Sequence, residues 1–496
     1  MRPHVTPAVD RMLDRLHPQW FVVLAAAAAC VVVGHRFIRL AIATLRFPYP
    51  LDYGEGFVLD VAVRLARFEN IYPPDLQAGP WFVANYPPVY YLVRGAFLWF
   101  EEPALWQGRL VCQASAAATA VLIGAVLHRL TRDPAAAFLA ALTFLAIPFV
   151  ALWSQIDRID VLSLLFSWLA LWSLTAGRDR RHIAAAVLLF VASSYTRQTG
   201  AIAGVAAAYG WLWQQGSRRQ ANQLLAGVAG LGLLTALALQ VATDGGFLFH
   251  VVTATASPLS LDQLVNVGRR PVVLIPLLLL IAAGTVVAGV RFRPDGWALV
   301  AGYVVASALM ALTVAKVGSA VNYFLDLSAA CALAAGAAVH WLRPYRLALS
   351  AYAVLVVPQM VWMGFITWPY APLHARLARL GPYHELAKQV RDTRGPILAD
   401  EAAALLGVNG HEVDFHPFSM SQLVDAGLWD PEPFIRRLER HEYELVLLRM
   451  SIAQPRPLPN IWTPVLASAL LRYYQRVDAV QVDNASVIAI YRPTPR

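Results

Sequence analysis

Two carboxylates, Asp52 and Glu55, stand three residues apart in the stretch YPLDYGEGFVLDVAVRLARFENIY (49–72), beside Gly54 and Gly56. A carboxylate within hydrogen-bond reach of a hydroxyl can take its proton as the oxygen attacks, so this pair suits general-base work on an acceptor alcohol. If the leaving group is a lipid phosphate, it departs as an anion without a general acid. It then needs cations beside it, and Arg suits phosphate through its bidentate fork. Arg158, Arg197 and Lys316 are the candidate phosphate ligands, each at an end of a different apolar segment. Tyr53, Tyr86, Asp160, Asn322 and Tyr323 are candidates for holding the substrate, through their hydroxyl, amide and carboxylate groups or by aromatic stacking. Each group also has a plainer reading. The acids suit a solvated loop, the cations suit snorkelling to lipid headgroups, Asp157 and Asp160 suit pairing with Arg158, and the aromatics suit an interfacial belt.

The elements that must position these groups are membrane helices. The chain has 496 residues, 58% of them hydrophobic and only 14% charged, and its mean hydropathy is +0.52. A soluble protein of this length needs far more polar surface, so the composition gives an α-helical polytopic membrane protein. About eleven spans are expected: 20–43, then near 104–128, 135–153, 159–176, 183–197, 199–213, 222–242, 271–290, 297–315, 320–341 and 347–368. The pair around 183–213 is short and is interrupted by Arg197-Gln198-Thr199-Gly200. Residues 57–68 read as an amphipathic helix at the membrane surface, and 89–100, with Arg94 inside, as a second interfacial segment.

The net charge of +9 does not point to nucleic acid, because the basic residues collect in short loops between spans. RLTRD (129–133), GRDRRH (177–182), QQGSRR (214–219), RFRPDG (291–296) and RPYR (343–346) mark the cytoplasmic side, together with the N-terminal Arg2, Arg11 and Arg15. The opposite set of loops faces out, and it holds every stretch with an unusual polar pattern. The expected organisation is a transmembrane domain over 1–368, with a first outer loop at 44–103, and a small extracytoplasmic α/β domain over 369–496. A multi-pass protein of the cytoplasmic membrane is the matching location, with membrane lipids as neighbours and no nucleic acid as partner.

Cys30, Cys112 and Cys331 all fall in apolar segments and offer neither a disulfide framework nor metal-ligand spacing. His411 and His416 are too loosely placed to argue from, and no cofactor is expected, with a divalent metal left open. There is no phosphate-binding Gly-rich loop and no nucleophile elbow, which argues against a nucleotide-using cytosolic enzyme. A transporter or flippase is the rival class, but neither an internal repeat nor a symmetric arrangement is visible. A noncatalytic scaffold whose outer domain binds a partner is the third.

The order of parts resembles the GT-C superfamily of membrane glycosyltransferases, near its protein O-mannosyltransferase and aminoarabinose transferase branch. An acidic motif and juxtamembrane helix (LDYGEGFVLDVAVRLARFENIYP) follow span one; then come a Pro-Pro-aromatic segment (NYPPVYY), an Arg opening span two (GRL, Arg109), many spans and an outer C-terminal domain. The resemblance implies a polyprenyl-phosphate sugar donor, an acceptor hydroxyl on a glycan, lipid or protein, and inverting transfer by a single displacement. The family's usual Asp-Glu pair meets Gly54-Glu55 here, with Asp52 two residues earlier. Either Asp52 or Glu55 is then the base; Asp52 is favoured, with Glu55 orienting acceptor or donor.

Overall fold

A computed structural model describes residues 18–453, 456–459 and 461–495. The basic N-terminal segment with Arg2, Arg11 and Arg15 lies outside the described residues, as does the side chain of Cys30. The first part of the chain is helical. Helix α1 (Pro18–Arg46) leads to α2 (Tyr53–Ala66) and the short α3 (Val89–Phe97), and then to α4 (Leu105–Thr131), α5 (Pro134–Ala146) and α6 (Pro148–Trp153). These are followed by α7 (Asp160–Ala176), α8 (Arg180–Thr196), α9 (Ile202–Gln214) and α10 (Arg218–Ala242). The last group is α11 (Leu261–Leu274), α12 (Pro276–Phe292), α13 (Trp297–Ala311), α14 (Leu325–Leu342) and α15 (Arg346–Phe365).

Local chemistry sets the helix ends. Asp133 accepts from the amides of Ala135 and Ala136 at 3.0 and 3.2 Å, with Pro134 just inside α5. Asp179 caps α8 and Ser260 caps α11 in the same way. At the centre α14 is buried almost throughout; its alanines and Gly336 let it lie directly against the backbone of α5.

Among the described residues five helices are long and apolar enough to cross a membrane, and a sixth is if the pair α11–α12, bent by 86°, counts as one. The expected spans therefore map only in part. The 135–153 segment breaks at Ile147 ahead of Pro148, because proline cannot continue the hydrogen-bond ladder. The 183–213 pair separates after Thr196 and resumes at Ile202.

The C-terminal part adds α16 (Ala371–Leu377), α17 (Leu380–Asp392), β1 (Ile397–Ala399), α18 (Ala403–Val408), α19 (Pro417–Asp425), α20 (Glu432–Glu439), β2 (Leu445–Ser451), α21 (Pro464–Tyr473), β3 (Tyr474–Gln481) and β4 (Ser486–Pro493). The strands form one sheet in the order β1-β2-β4-β3, parallel between β1 and β2 and antiparallel elsewhere. Side chains alternate across it. Leu398, Val446 and Leu448 join α19, α20 and α21 in one core, whereas Ile397, Leu445 and Leu447 pack with α17 and α18 in the core continuous with the membrane helices. The first long loop is woven into this unit. Trp81 donates its amide to Asp414 O at 2.7 Å, accepts from the amide of His416 at 2.8 Å, and buries its ring among Phe415, Trp429 and Phe434.

Two expectations change here. Helix α2 does not lie at a membrane surface with a solvated polar face, because the C-terminal unit covers that face. Asp60 and Arg64 are buried, Arg64 Nε is 3.0 Å from Asp60, and its Nη2 donates to Val413 O at 2.7 Å. Arg94 on α3 is likewise no interfacial charge. It is fully buried, 2.9 Å from Asp157, so Asp157 does not pair with Arg158.

Gly56 is where α2 meets α18, and a Cβ there would collide with the backbone of Ala403 and Ala404. We expect Gly56→Val to wedge the two apart at a cost of about 1–3 kcal/mol. Faster limited proteolysis of the C-terminal unit in detergent is the readout; an unchanged cleavage rate would mean that this contact is not tight.

Candidate active site

Asp52 is the N-cap of α2. Its Oδ1 accepts from the Gly54 amide at 2.9 Å and faces Arg158 Nη1 at 3.3 Å. The Asp52 side chain stays 30% exposed and that of Arg158 17%, so the pair stands at an opening. Gly54 is needed beneath it, since a Cβ there would occupy the place of the Arg158 guanidinium. Among the described residues the buried Nε of Arg158 has no hydrogen-bond partner. Burial raises the Asp52 carboxyl above its ordinary value, against the pull of Arg158 and of the Gly54 amide.

Arg158 and Gly54 belong to the wall of a cavity of ≈ 300 Å³ that also includes Tyr53, Tyr86, His416 and Arg449. A second cavity, of ≈ 360 Å³, is lined by Arg197, Lys316, Asn322 and Tyr323. Both share Asn85, Tyr86, Gly318, Phe418 and Ser419, so they form one groove with a waist.

The break between α8 and α9 sets the far end of this groove. Arg197, in extended conformation just beyond α8, places its guanidinium over the ring of Tyr323 at 4.9 Å, and its Nε is 3.3 Å from Asp160. Lys316 lies in the turn ahead of α14, and partial burial together with Arg197 lowers its pKa. Gly318 in this turn has φ +83, a conformation open to glycine, and it abuts the ring of Phe418 from the C-terminal unit.

Three expected site residues are not in the lining: Asp52 stands beside it, paired with Arg158, and Glu55 and Asp160 are buried away from it. Glu55 does not reach the groove. It is fully buried in a two-bond pair with Arg109 at 2.8 and 2.9 Å, and it accepts from the amides of Leu51 at 2.6 Å and Asp157 at 3.0 Å. Burial alone would raise its pKa, but Arg109 and these amides hold it below the ordinary value. With its lone pairs committed, Glu55 has no capacity left for an acceptor. Asp160 is also fully buried, outside the groove lining, and accepts from Trp153 at 2.7 Å and Asn322 at 2.8 Å besides pairing with Arg197. It therefore holds Arg197 and Asn322 in place from behind the lining.

Several lining groups carry no signal in a linear reading. His416 lies 3.1 Å from Asp60 across 356 residues of sequence, and Arg449 comes from strand β2. Asn85 opens the NYPPVYY segment and Ser419 lies in PFSMSQL, two stretches whose composition stands out. Among the described residues no group of three His, Cys, Asp or Glu side chains is placed to hold a metal ion.

Residues 85–243 match the family model described as dolichyl-phosphate-mannose-protein mannosyltransferase. No curated protein sequence matches the chain. Among solved structures, ArnT from Cupriavidus metallidurans, bound to undecaprenyl phosphate, superposes with a TM-score of 0.59 at 14% identity, over 95% of this chain and 98% of that one. The chain has the GT-C fold. The oligosaccharyltransferase of Archaeoglobus fulgidus shares this GT-C fold at a TM-score of 0.59 and 10% identity, over 92% of this chain and 73% of the other. The mycobacterial arabinofuranosyltransferase AftD matches at 0.50 and 15%, over 96% of this chain and 40% of its own. The chain thus shares the fold of these proteins, and among the described residues five helices are long and apolar enough to cross a membrane.

Proposed function

We propose that the chain transfers a sugar from a polyprenyl-phosphate donor to an acceptor hydroxyl, with inversion, on the extracytoplasmic face. One observation carries this reading: a single groove is lined by Arg197 and Lys316 at one end and by Arg158 at the other, and Arg158 pairs with Asp52 just beside the lining. The donor phosphate sits between Arg197 and Lys316. Asp52 accepts the acceptor's proton as its oxygen bonds to the anomeric carbon. The bond from that carbon to the phosphate oxygen breaks on the opposite side, and its electrons leave with polyprenyl phosphate, whose charge the two cations receive. Undecaprenyl phosphate bound to ArnT, a fold neighbour, supports a lipid phosphate in this role. The arginine-rich loops on the other side support a cytoplasmic-membrane topology with 1–368 as the transmembrane domain and 369–496 outside.

The test is release of polyprenyl phosphate when purified protein meets a panel of polyprenyl-phosphate sugars and acceptors. Protein inert with every donor yet able to carry solute into vesicles would reverse the reading in favour of a transporter. Within this assay Lys316→Ala should raise the donor KM about ten- to hundred-fold, the cost of losing one charge-assisted contact to phosphate, and should lower kcat as well, because the leaving phosphate gains charge beside it. An unaltered KM would remove Lys316 from the donor site.

A further inference from the structure

The waist of the groove is built from two chain segments that meet only in the folded protein. Asn85, from the first loop, and Ser419, from α19 of the C-terminal unit, face each other with Asn85 Nδ2 to Ser419 Oγ at 3.3 Å and Ser419 Oγ to Asn85 Oδ1 at 3.4 Å. These contacts are long, and an amide with two donors and two acceptor sites keeps capacity beyond them. The backbone beneath is fixed. Gln198 Nε2 donates to Asn85 O at 2.7 Å, and Tyr72 Oη donates to Tyr86 O at 2.8 Å. The backbone that carries Asn85 is thus held from behind, while the side chains of Asn85 and Ser419 belong to the lining of both cavities.

The charged side chains that line the two cavities have one sign. The described residues lining the two cavities include Arg158, Arg197, Lys316 and Arg449, and no Asp or Glu. The acids stand behind this lining and each is engaged: Asp52 with Arg158, Asp160 with Arg197, Glu401 with Arg449 and Asp60 with His416 and Arg64.

We propose that Asn85 and Ser419 recognise the transferred sugar, and that the sugar this site takes is neutral and hydroxyl-bearing, not one carrying an ammonium group. With the phosphate at one end and the acceptor at the other, the sugar between them lies at the waist, where neutral donors and acceptors await its hydroxyls. A cationic sugar would enter a cation-lined groove with no free carboxylate to meet it. This rests on the glycosyl-transfer reading above and specifies its donor.

The experiment compares kcat/KM for two synthetic polyprenyl-phosphate donors, a neutral pentose or hexose and the matching amino sugar, with wild type, Asn85→Asp and Ser419→Ala. Wild type should favour the neutral sugar at least ten-fold. Asn85→Asp, which places a carboxylate at the waist, should narrow or invert that ratio. Ser419→Ala should lower turnover of the neutral donor about ten-fold while polyprenyl phosphate itself still binds as an inhibitor with unchanged affinity. Because each preference is a ratio within one preparation, partial misfolding does not mimic it. Equal or better use of the amino sugar by wild type, or ratios that ignore both substitutions, would overturn the inference and leave glycosyl transfer standing. Protein inert with both donors, and with the wider panel, would instead take down the transfer reading itself.

Discussion

Asp52→Asn should lose about 10²- to 10⁴-fold in kcat, the usual worth of a general base, while the protein folds and binds donor normally. Asparagine caps a helix as well as aspartate does, so the contact that Asp52 makes with the Gly54 amide survives and α2 keeps its start. Arg197 and Lys316 are untouched, so donor affinity holds. The pH profile gives a second check. The base must be ionised, so the rate falls as pH drops through its pKa, and burial places that limb above where an ordinary aspartate would put it. Asp52→Asn should abolish this limb along with the rate. A variant retaining most of its kcat, with the acid limb in place, would show that the proton goes elsewhere.

Glu55→Ala and Arg109→Ala should each destabilise the protein by about 3–5 kcal/mol, because each leaves the other's charge buried and unpaired. Arg109 does more than pair with Glu55. It donates to the carbonyls of Thr44 at 2.8 Å, Phe47 at 2.5 Å and Tyr49 at 2.7 Å, and so closes the end of α1. Glu55 in turn accepts from the Leu51 and Asp52 amides, at 2.6 and 3.3 Å, and so fixes the turn that aims Asp52. The double variant Glu55→Gln/Arg109→Met, which removes both charges, should recover part of the loss. Thermal unfolding in detergent measures this. Glu55→Gln with native thermal stability but no turnover would contradict the structural role and return Glu55 to the chemistry.

Charge and hydropathy made much of this legible. The apolar segments and their interruption at Arg197–Gly200 were visible because helices in a membrane must be apolar and breaks in them polar. In the tail, the ELVLLR and SVIAIY runs appear as β2 and β4. The roles of the two acids were not separable by spacing. Which one faces solvent depends on Arg109, brought against Glu55 from 54 residues away, and on Arg158, brought against Asp52 from 106 residues away. His416, Ser419 and Arg449 stayed out of reach for a related reason: their place at the groove comes from Trp81 pairing with the 414–416 segment, a contact without any local pattern. The burial of Asp160 behind Arg197 has no mark in the sequence, where a buried acid and an exposed one look alike.

In the proposed mechanism one groove holds a lipid phosphate at Arg197 and Lys316, with its sugar reaching toward Asp52. A cryo-EM map of the Asp52→Asn variant with an intact polyprenyl-phosphate sugar tests it most directly. Phosphate density is expected between those two cations, and the sugar at the Asn85 waist with its anomeric carbon open to residue 52. Phosphate density elsewhere, with the sugar outside this groove, would contradict it.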